Sequence, residues 1–296
     1  VIPAGFKLAS DSGTLVEDGI VIEDLDGNQF VWIPAKTGDG AAIKLSTGGT
    51  ATIIYKRTAY SACVATGEMD EETDSEKITF SNSEYYFKEA MQSDEEKSIN
   101  ANGGYYIGRY EAGDKESTQV KSMREEGASQ TNTVTIKKGQ APYNYITQSQ
   151  AKKLAENMSV KQGYNATTKL SNSYAWDTAI SFIQIKNTDY SSSSIEGNYM
   201  NVPTFTYTDI NGNPQTKNKD TEVLIPTGQT TSVSNIYDMG GNLNEYTTES
   251  NSDVSRPIAF RGGDYRNDSE WYGAGKRSFG DGLSYGGAGF RIVMYI

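Results

Sequence analysis

Two hydrophobic periods run along the chain, and each predicts its own kind of element. Near the N-terminus, Val21-Ile22 and Phe30 to Ile33 form short β-branched and aromatic runs on either side of Asp26-Gly27-Asn28. Strand-forming runs around an Asp-Gly turn predict a hairpin over residues 19–35. From Lys36 to Gly104 the pattern turns polar and irregular. Within it TATIIYKRTAY predicts a strand and SEYYFKEAMQS a short helix, while the acidic tract EMDEETDSEK reads as a solvated loop, with cation binding as the alternative. Tyr105 to Tyr110 predicts a strand that ends on Glu111, and the polar alternation around TVTIKKG, up to Gly139, predicts a further hairpin.

The period then changes. Thr147 is a suitable N-cap, and Ala151, Leu154, Ala155 and Met158 fall on one face of a 3.6-residue repeat, which predicts an amphipathic helix. A second helix follows, with Ser171 or Ser173 as its cap and Trp176, Ala179, Ile180 and Ile183 as its apolar stripe. Both stripes read as core. Residues 187–230 have no sustained period and suggest a long loop region with one hairpin at Asn211-Gly212. From Ser232 onward the chain is dense in glycine and aromatic residues, the mark of irregular backbone held at close approach.

Composition narrows the chemistry. The 296 residues suffice for a sizeable core, and 27 basic against 38 acidic residues give a net charge of −11, which disfavours nucleic acid as a partner. The chain has no histidine, which removes the Ser-His-Asp triad, the Cys-His pair and the usual zinc and iron sites, so no copper, iron or zinc is expected. The one cysteine, Cys63, reads as a small buried hydrophobe. No apolar run reaches the roughly 18 to 20 residues of a bilayer span, so a soluble chain is expected, touching a membrane only through an N-terminal segment absent from this sequence. Tyr at 20 and Gly at 30, beside abundant Ser, Thr and Asn, suit an extracellular or cell-surface recognition protein.

Four C-terminal motifs carry a resemblance. Tyr237 to Asn242 with Glu245, then Arg261-Gly262-Gly263, Arg277-Ser278 and Gly289-Phe290-Arg291 stand in the order found in the formylglycine-generating-enzyme/sulfatase-modifying-factor family. Upstream, YYIGRYEAG, PYNYITQSQAKKLAENM and LSNSYAWDTAI are similar to that family's strand and two helices. The resemblance implies an α+β, C-type lectin-like fold of the formylglycine-generating-enzyme type, two helices packed on antiparallel sheets with much irregular structure. The organisation expected is an N-terminal hairpin over 1–36, an insertion over 37–100 and the lectin-like domain over 101–296. The family's copper-binding cysteine pair is missing, as are the histidines of its iron-dependent relatives, so a non-catalytic branch is implied and no enzyme is expected.

Within that branch the chain resembles the variable proteins of diversity-generating retroelements and pilin-like surface proteins of Gram-positive bacteria. The first resemblance implies a ligand-binding face between Arg-Gly-Gly and Gly-Phe-Arg, made of Tyr265, Asn267, Asp268, Glu270, Trp271, Tyr272, Ser284 and Tyr285. The ligand expected there is a protein or glycan on another cell or virus surface. The second implies self-assembly as a filament or pilin-like subunit. Family members also hold calcium, which carries over to Asn242, Leu243 and Glu245 here.

The residues themselves leave other readings open. Glu111, Asp177, Glu245 and Asp264 are the candidates for a carboxylate pair able to cleave glycosides, should two of them lie close together. Trp32 and Trp176 read as core, Trp271 as either core or ligand contact. Arg261 and Arg291 recur in the motifs that carry the family resemblance, which implies that they are buried partners of carboxylates.

Overall fold

The computed structural model describes residues 1–60, 67–70, 75–80, 83–122, 132–192 and 196–296. Cys63 and residues 71–74 of the acidic tract lie outside the described residues. A six-stranded sheet forms the centre, in the order Phe6–Leu8, Val21–Asp24, Gln29–Pro34, Gly104–Gly108, Ile292–Tyr295 and Thr167–Leu170. Its inner strands are buried on both faces, because successive side chains of a strand point to opposite sides. Val31, Ile33, Tyr105, Ile107 and Val293 join one core, and Phe30, Tyr106, Ile292 and Met294 join the other.

Three helices cover this sheet: α1 (Ser93–Asn102), α2 (Gln148–Gln162) and α3 (Ser173–Ile183). The cap of α2 is as the sequence predicts. Gln150 N donates to Thr147 Oγ1 at 3.2 Å, while Thr147 N donates to Gln150 Oε1 at 2.9 Å, closing a capping box. The buried apolar residues of α2, Ala151, Ala155 and Met158, face the Phe30 core. The cap of α3 is Asn172, between the two serines expected, and its Oδ1 accepts from Ala175 N at 2.7 Å. Asparagine and serine cap about equally well, so propensity alone does not separate the three neighbouring positions. Trp176, Ala179, Ile180 and Ile183 are all fully buried in the Val31 core.

The lectin-like α+β expectation is corrected by this topology. The fold is β-rich: among the described residues twenty strands fall into five sheets, with three short helices. Nor are the sheets all antiparallel, since Asn244–Asn251 pairs in parallel with Ala288–Phe290, Glu245 opposite Gly289. The segment predicted as a short helix is instead the strand Ser83–Lys88, and α1 begins only at Ser93. Tyr85-Tyr86-Phe87 prefer the pleated conformation, and Phe87 finds a partner opposite Asn251. That strand belongs to a seven-stranded sheet running Arg277–Gly280, Ile258–Arg261, Asn244–Asn251, Ser83–Lys88, Ser75–Phe80 and Gly67–Asp70, with Ala288–Phe290 added beside Asn244–Asn251.

A buried ionic cluster fastens α3 to this second sheet. Arg261 and Arg277 stand directly opposite each other on neighbouring strands, a like-charge pairing that destabilises a sheet on its own. Two carboxylates neutralise it. Asp177 of α3 accepts from Arg261 Nη2 and, at 2.6 Å, from Arg277 Nη2, while both oxygens of Glu249 accept from Arg277 Nε at 3.0 Å. Arg57 completes the cluster on Glu249 and also donates to Ser173 Oγ at 2.8 Å. All five side chains are inaccessible to solvent. Arg291, likewise buried, makes a two-pronged bond to Glu245 at 3.0 and 2.7 Å, so both arginines read from the sequence as buried partners of carboxylates are so paired.

These environments set the pH response. Burial pushes Glu249 up, but Arg277, Arg57 and Arg261 together outweigh it and hold the carboxyl at about 2. Burial, reinforced by the Glu249 charge, raises Glu89 to about 7, and burial raises Glu245 to about 7 despite Arg291. A raised carboxyl binds its proton more tightly in the folded than in the unfolded chain, so its contribution is present below the ordinary value of 4.5 and is lost as pH rises toward 7. The depressed Glu249 acts in the opposite sense, losing stability as pH falls from 4.5 toward 2. The melting midpoint should therefore peak near about pH 5 and decline toward about pH 8, with Glu89→Gln flattening part of that decline. A midpoint that climbs steadily from acid to pH 8 would contradict these assignments.

Candidate functional site

The connection from Arg261 to Arg277 and the loop leading to Ala288 leave the second sheet at the point where the ionic cluster pins it. Between them lies a groove of about 560 Å³ whose walls include Tyr272, Phe279, Tyr285, Arg256, Arg266 and Asp281. Glycine makes the tight departure from the strand possible. Gly263 has φ +69°, and a Cβ there would stand 2.7 Å from the Cβ of Tyr272.

Asp264, 1 % exposed, is the hub of the wall. It accepts from Arg266 N at 3.0 Å, from Arg266 Nε at 3.1 Å and from Asn244 Nδ2 at 2.9 Å, while Arg266 Nη2 closes a second prong on its other oxygen. Arg266 in turn donates to Tyr285 Oη at 2.6 Å, with its guanidinium carbon 5.6 Å from that ring's centre and 5.7 Å from the centre of Tyr265. A fixed arginine between two rings is a rigid recognition element. Gly287 is needed beside it, because a Cβ would lie 2.7 Å from Arg266 Nη2 and 2.8 Å from Tyr285 Cε1. On the opposite wall Arg256 lies 4.3 Å over Phe279 and is held by Asp253 at 2.9 Å. The loops are stitched to the body by main-chain acceptors: Tyr246 Oη donates to Leu283 O at 2.6 Å, and Asn144 Nδ2 to Gly286 O at 2.8 Å.

The structure divides the eight residues of the expected face. Asn267, Tyr272, Ser284 and Tyr285 line the groove. Asp268 and Glu270 line an adjoining hollow with Asn201 and Lys219. Trp271 is 42 % exposed and borders neither. Tyr265 is 3 % exposed, packed beside Leu224 and Leu243, so its expected place on the face is corrected to the interior. Sequence reasoning missed Asn244, Arg256, Phe260, Arg266, Phe279 and Asp281. Arg266, Phe279 and Asp281 lie inside the stretch between the two anchors and were legible as polar-aromatic surface; Arg256 and Phe260 precede it and reach the groove only through strand pairing.

Of the three residues carried over for calcium, Asn242 and Glu245 are engaged by protein groups and Leu243 is buried. Asn242 Oδ1 accepts from Asn198 Nδ2 at 2.8 Å and from Ile225 N at 3.2 Å, and its Nδ2 donates to Glu111 and to Ile225 O. Glu245 has both oxygens on Arg291, and Leu243 is 1 % exposed. A cation on the Glu245 carboxylate would have to displace Arg291. Among the described residues no group of three or more Asp, Glu or Cys side chains is placed to hold a metal ion.

Nor do the four candidate carboxylates form an open pair. Asp177, Glu245 and Asp264 are each bonded to arginine, and Glu111 is sealed beside Asn242, where burial and the charges of Asp238 and Glu245 push its carboxyl well up. A further cleft of about 410 Å³ near the start of α3 holds Glu89, Glu95, Glu156, Lys88, Lys152 and Lys169. There Glu95 is already taken by Lys169 and Asn172.

No protein-family model matches the chain, and no curated protein matches it. Among solved structures it is similar to Treponema denticola variable protein 1, with 12 % sequence identity and a TM-score of 0.35 over 91 % of this chain and 96 % of that one. Similarity at this level does not establish a shared fold.

Proposed function

We propose that this chain is a recognition module that captures a protein or glycan ligand in the Tyr272–Phe279–Tyr285 groove and works at the outer surface of a cell. The observation that carries the reading is the combination of aromatic rings and stacked arginines on irregular loops, fastened to a sheet that a buried ionic cluster holds rigid. Rings and arginines of this kind carry most of the binding energy where proteins meet ligands, and their fixed rotamers reduce the entropy lost on binding. Function on loops above a rigid scaffold is the common arrangement. The abundance of Tyr, with Ser and Asn, supports the surface assignment, since these supply contact area and adaptable hydrogen bonds.

The reading is tested by panning a displayed random heptapeptide library and a glycan array on the immobilised chain. Ligands recovered on the wild-type protein should fail to bind a Tyr272→Ala, Tyr285→Ala double variant. Ligands that bind the double variant equally well would place recognition elsewhere.

A further inference from the structure

The chemistry of the groove is specific enough to name a class of ligand. We infer that it binds a neutral saccharide, an inference that rests on the recognition reading above and goes further by fixing what is recognised. The argument begins with charge. Each groove arginine already has its carboxylate: Arg256 has Asp253 and Arg266 has Asp264. Among the described residues that line the groove, an anionic ligand would find no unneutralised cation and would meet Asp281 as well. A cationic ligand would have to approach two guanidinium groups.

What remains unsatisfied is a set of neutral hydrogen-bond needs of both signs. On each arginine the pairing uses Nε and Nη2, and Nη1 makes no bond to the described residues. Asp281 Oδ1 accepts from Leu283 N at 2.9 Å, and its Oδ2 has no partner among the described residues. The hydroxyls of Ser278 and Ser284, both on the groove lining, likewise make no bond to the described residues. Donors on the arginines, an acceptor on Asp281 and hydroxyls able to act as either match a ligand whose groups both give and receive hydrogen bonds. Sugar hydroxyls do both. The rings of Tyr272 and Tyr285 supply apolar faces for the C–H side of a pyranose, and the groove's volume of about 560 Å³ suits one or two sugar rings.

The test uses the full chain and defined probes: the methyl glycosides of glucose, galactose, mannose and N-acetylglucosamine, with glucuronic acid and the panned heptapeptides as alternatives, titrated by ligand-observed NMR. At least one neutral glycoside should bind, with an affinity that changes less than about twofold between low and high salt, because no net charge is screened. Tyr272→Ala and Asp281→Asn should each weaken it by about tenfold or more while the melting midpoint stays put; Asp281 is exposed, so its variant separates binding from folding. Binding only of glucuronic acid, weakened by salt and by Tyr272→Ala, would overturn the neutral assignment and leave the groove as the site. Binding only of peptides, equally dependent on Tyr272, would overturn it in the same way. Glycoside binding unaffected by either variant would overturn both the inference and the reading beneath it.

Discussion

Replacing Asp177 with alanine should destabilise the chain by about 3–5 kcal/mol, the loss expected when one partner of a buried ion pair is removed. The wild-type carboxylate receives Arg261 on one oxygen and Arg277 on the other, with Thr58 N donating to it at 3.0 Å. Without it, two guanidinium groups that face each other across a strand pair share only Glu249, and the buried like-charge repulsion is no longer balanced. Globular domains have about 5–15 kcal/mol in all, so the variant should melt far earlier or fail to accumulate folded. Asp253→Ala is the control: it removes the half-buried partner of an exposed Arg256, a surface pair whose loss should leave the midpoint nearly unchanged. Denaturant unfolding of both variants checks the contrast. Equal midpoints would mean that the cluster does not hold α3 to the second sheet.

The second large effect concerns binding. Tyr272→Ala with Tyr285→Ala should reduce capture of a groove ligand by about a hundredfold or more, since well-packed aromatic contacts commonly carry about 2 kcal/mol each. Both rings are partly exposed, so the fold should tolerate their loss. Tyr265→Ala should behave in the opposite way. That ring is buried between Leu224 and Leu243, and truncating it should cost about 3–5 kcal/mol of stability, as for other large aromatic truncations. The three neighbouring tyrosines, close in sequence and alike in chemistry, thus separate into two that recognise and one that supports.

That separation marks the limit of what the sequence made legible. The N-terminal hairpin, α2, the apolar stripe of α3 and the Asn211-Gly212 hairpin followed from local period and turn chemistry, where each residue's environment is set by its near neighbours. The overall architecture did not. Ser83–Lys88 is polar enough at its ends to pass for a helix, but it pairs along its length with the neighbouring Ser75–Phe80 and joins the second sheet where Phe87 and Lys88 meet Asn251 and Ser250. The parallel pairing of Ala288–Phe290 with Asn244–Asn251 has no local signature at all. The site shows the same division. Tyr272, Ser284 and Tyr285 were readable as a polar-aromatic stretch between glycine-rich anchors. Arg256 and Phe260 enter the groove only because the strand Ile258–Arg261 pairs with Arg277–Gly280. Nothing in the sequence distinguished the inward Tyr265 from the outward Tyr272, because the positive φ of Gly262 and Gly263 turns the chain just before Tyr265 and the loop beyond it follows no regular period.

The central claim, that recognition resides in this groove and that the ionic cluster only supports it, is most directly tested by a saturation scan of residues 253–288 that scores folding and ligand capture separately. Substitutions at Tyr272, Asp281, Ser284 and Tyr285 should abolish capture with folding retained, whereas those at Tyr265, Arg261 and Arg277 should lose both together. Loss of capture spread evenly over the exposed positions of the scan, or confined to the hollow beside Asp268 and Glu270, would contradict it.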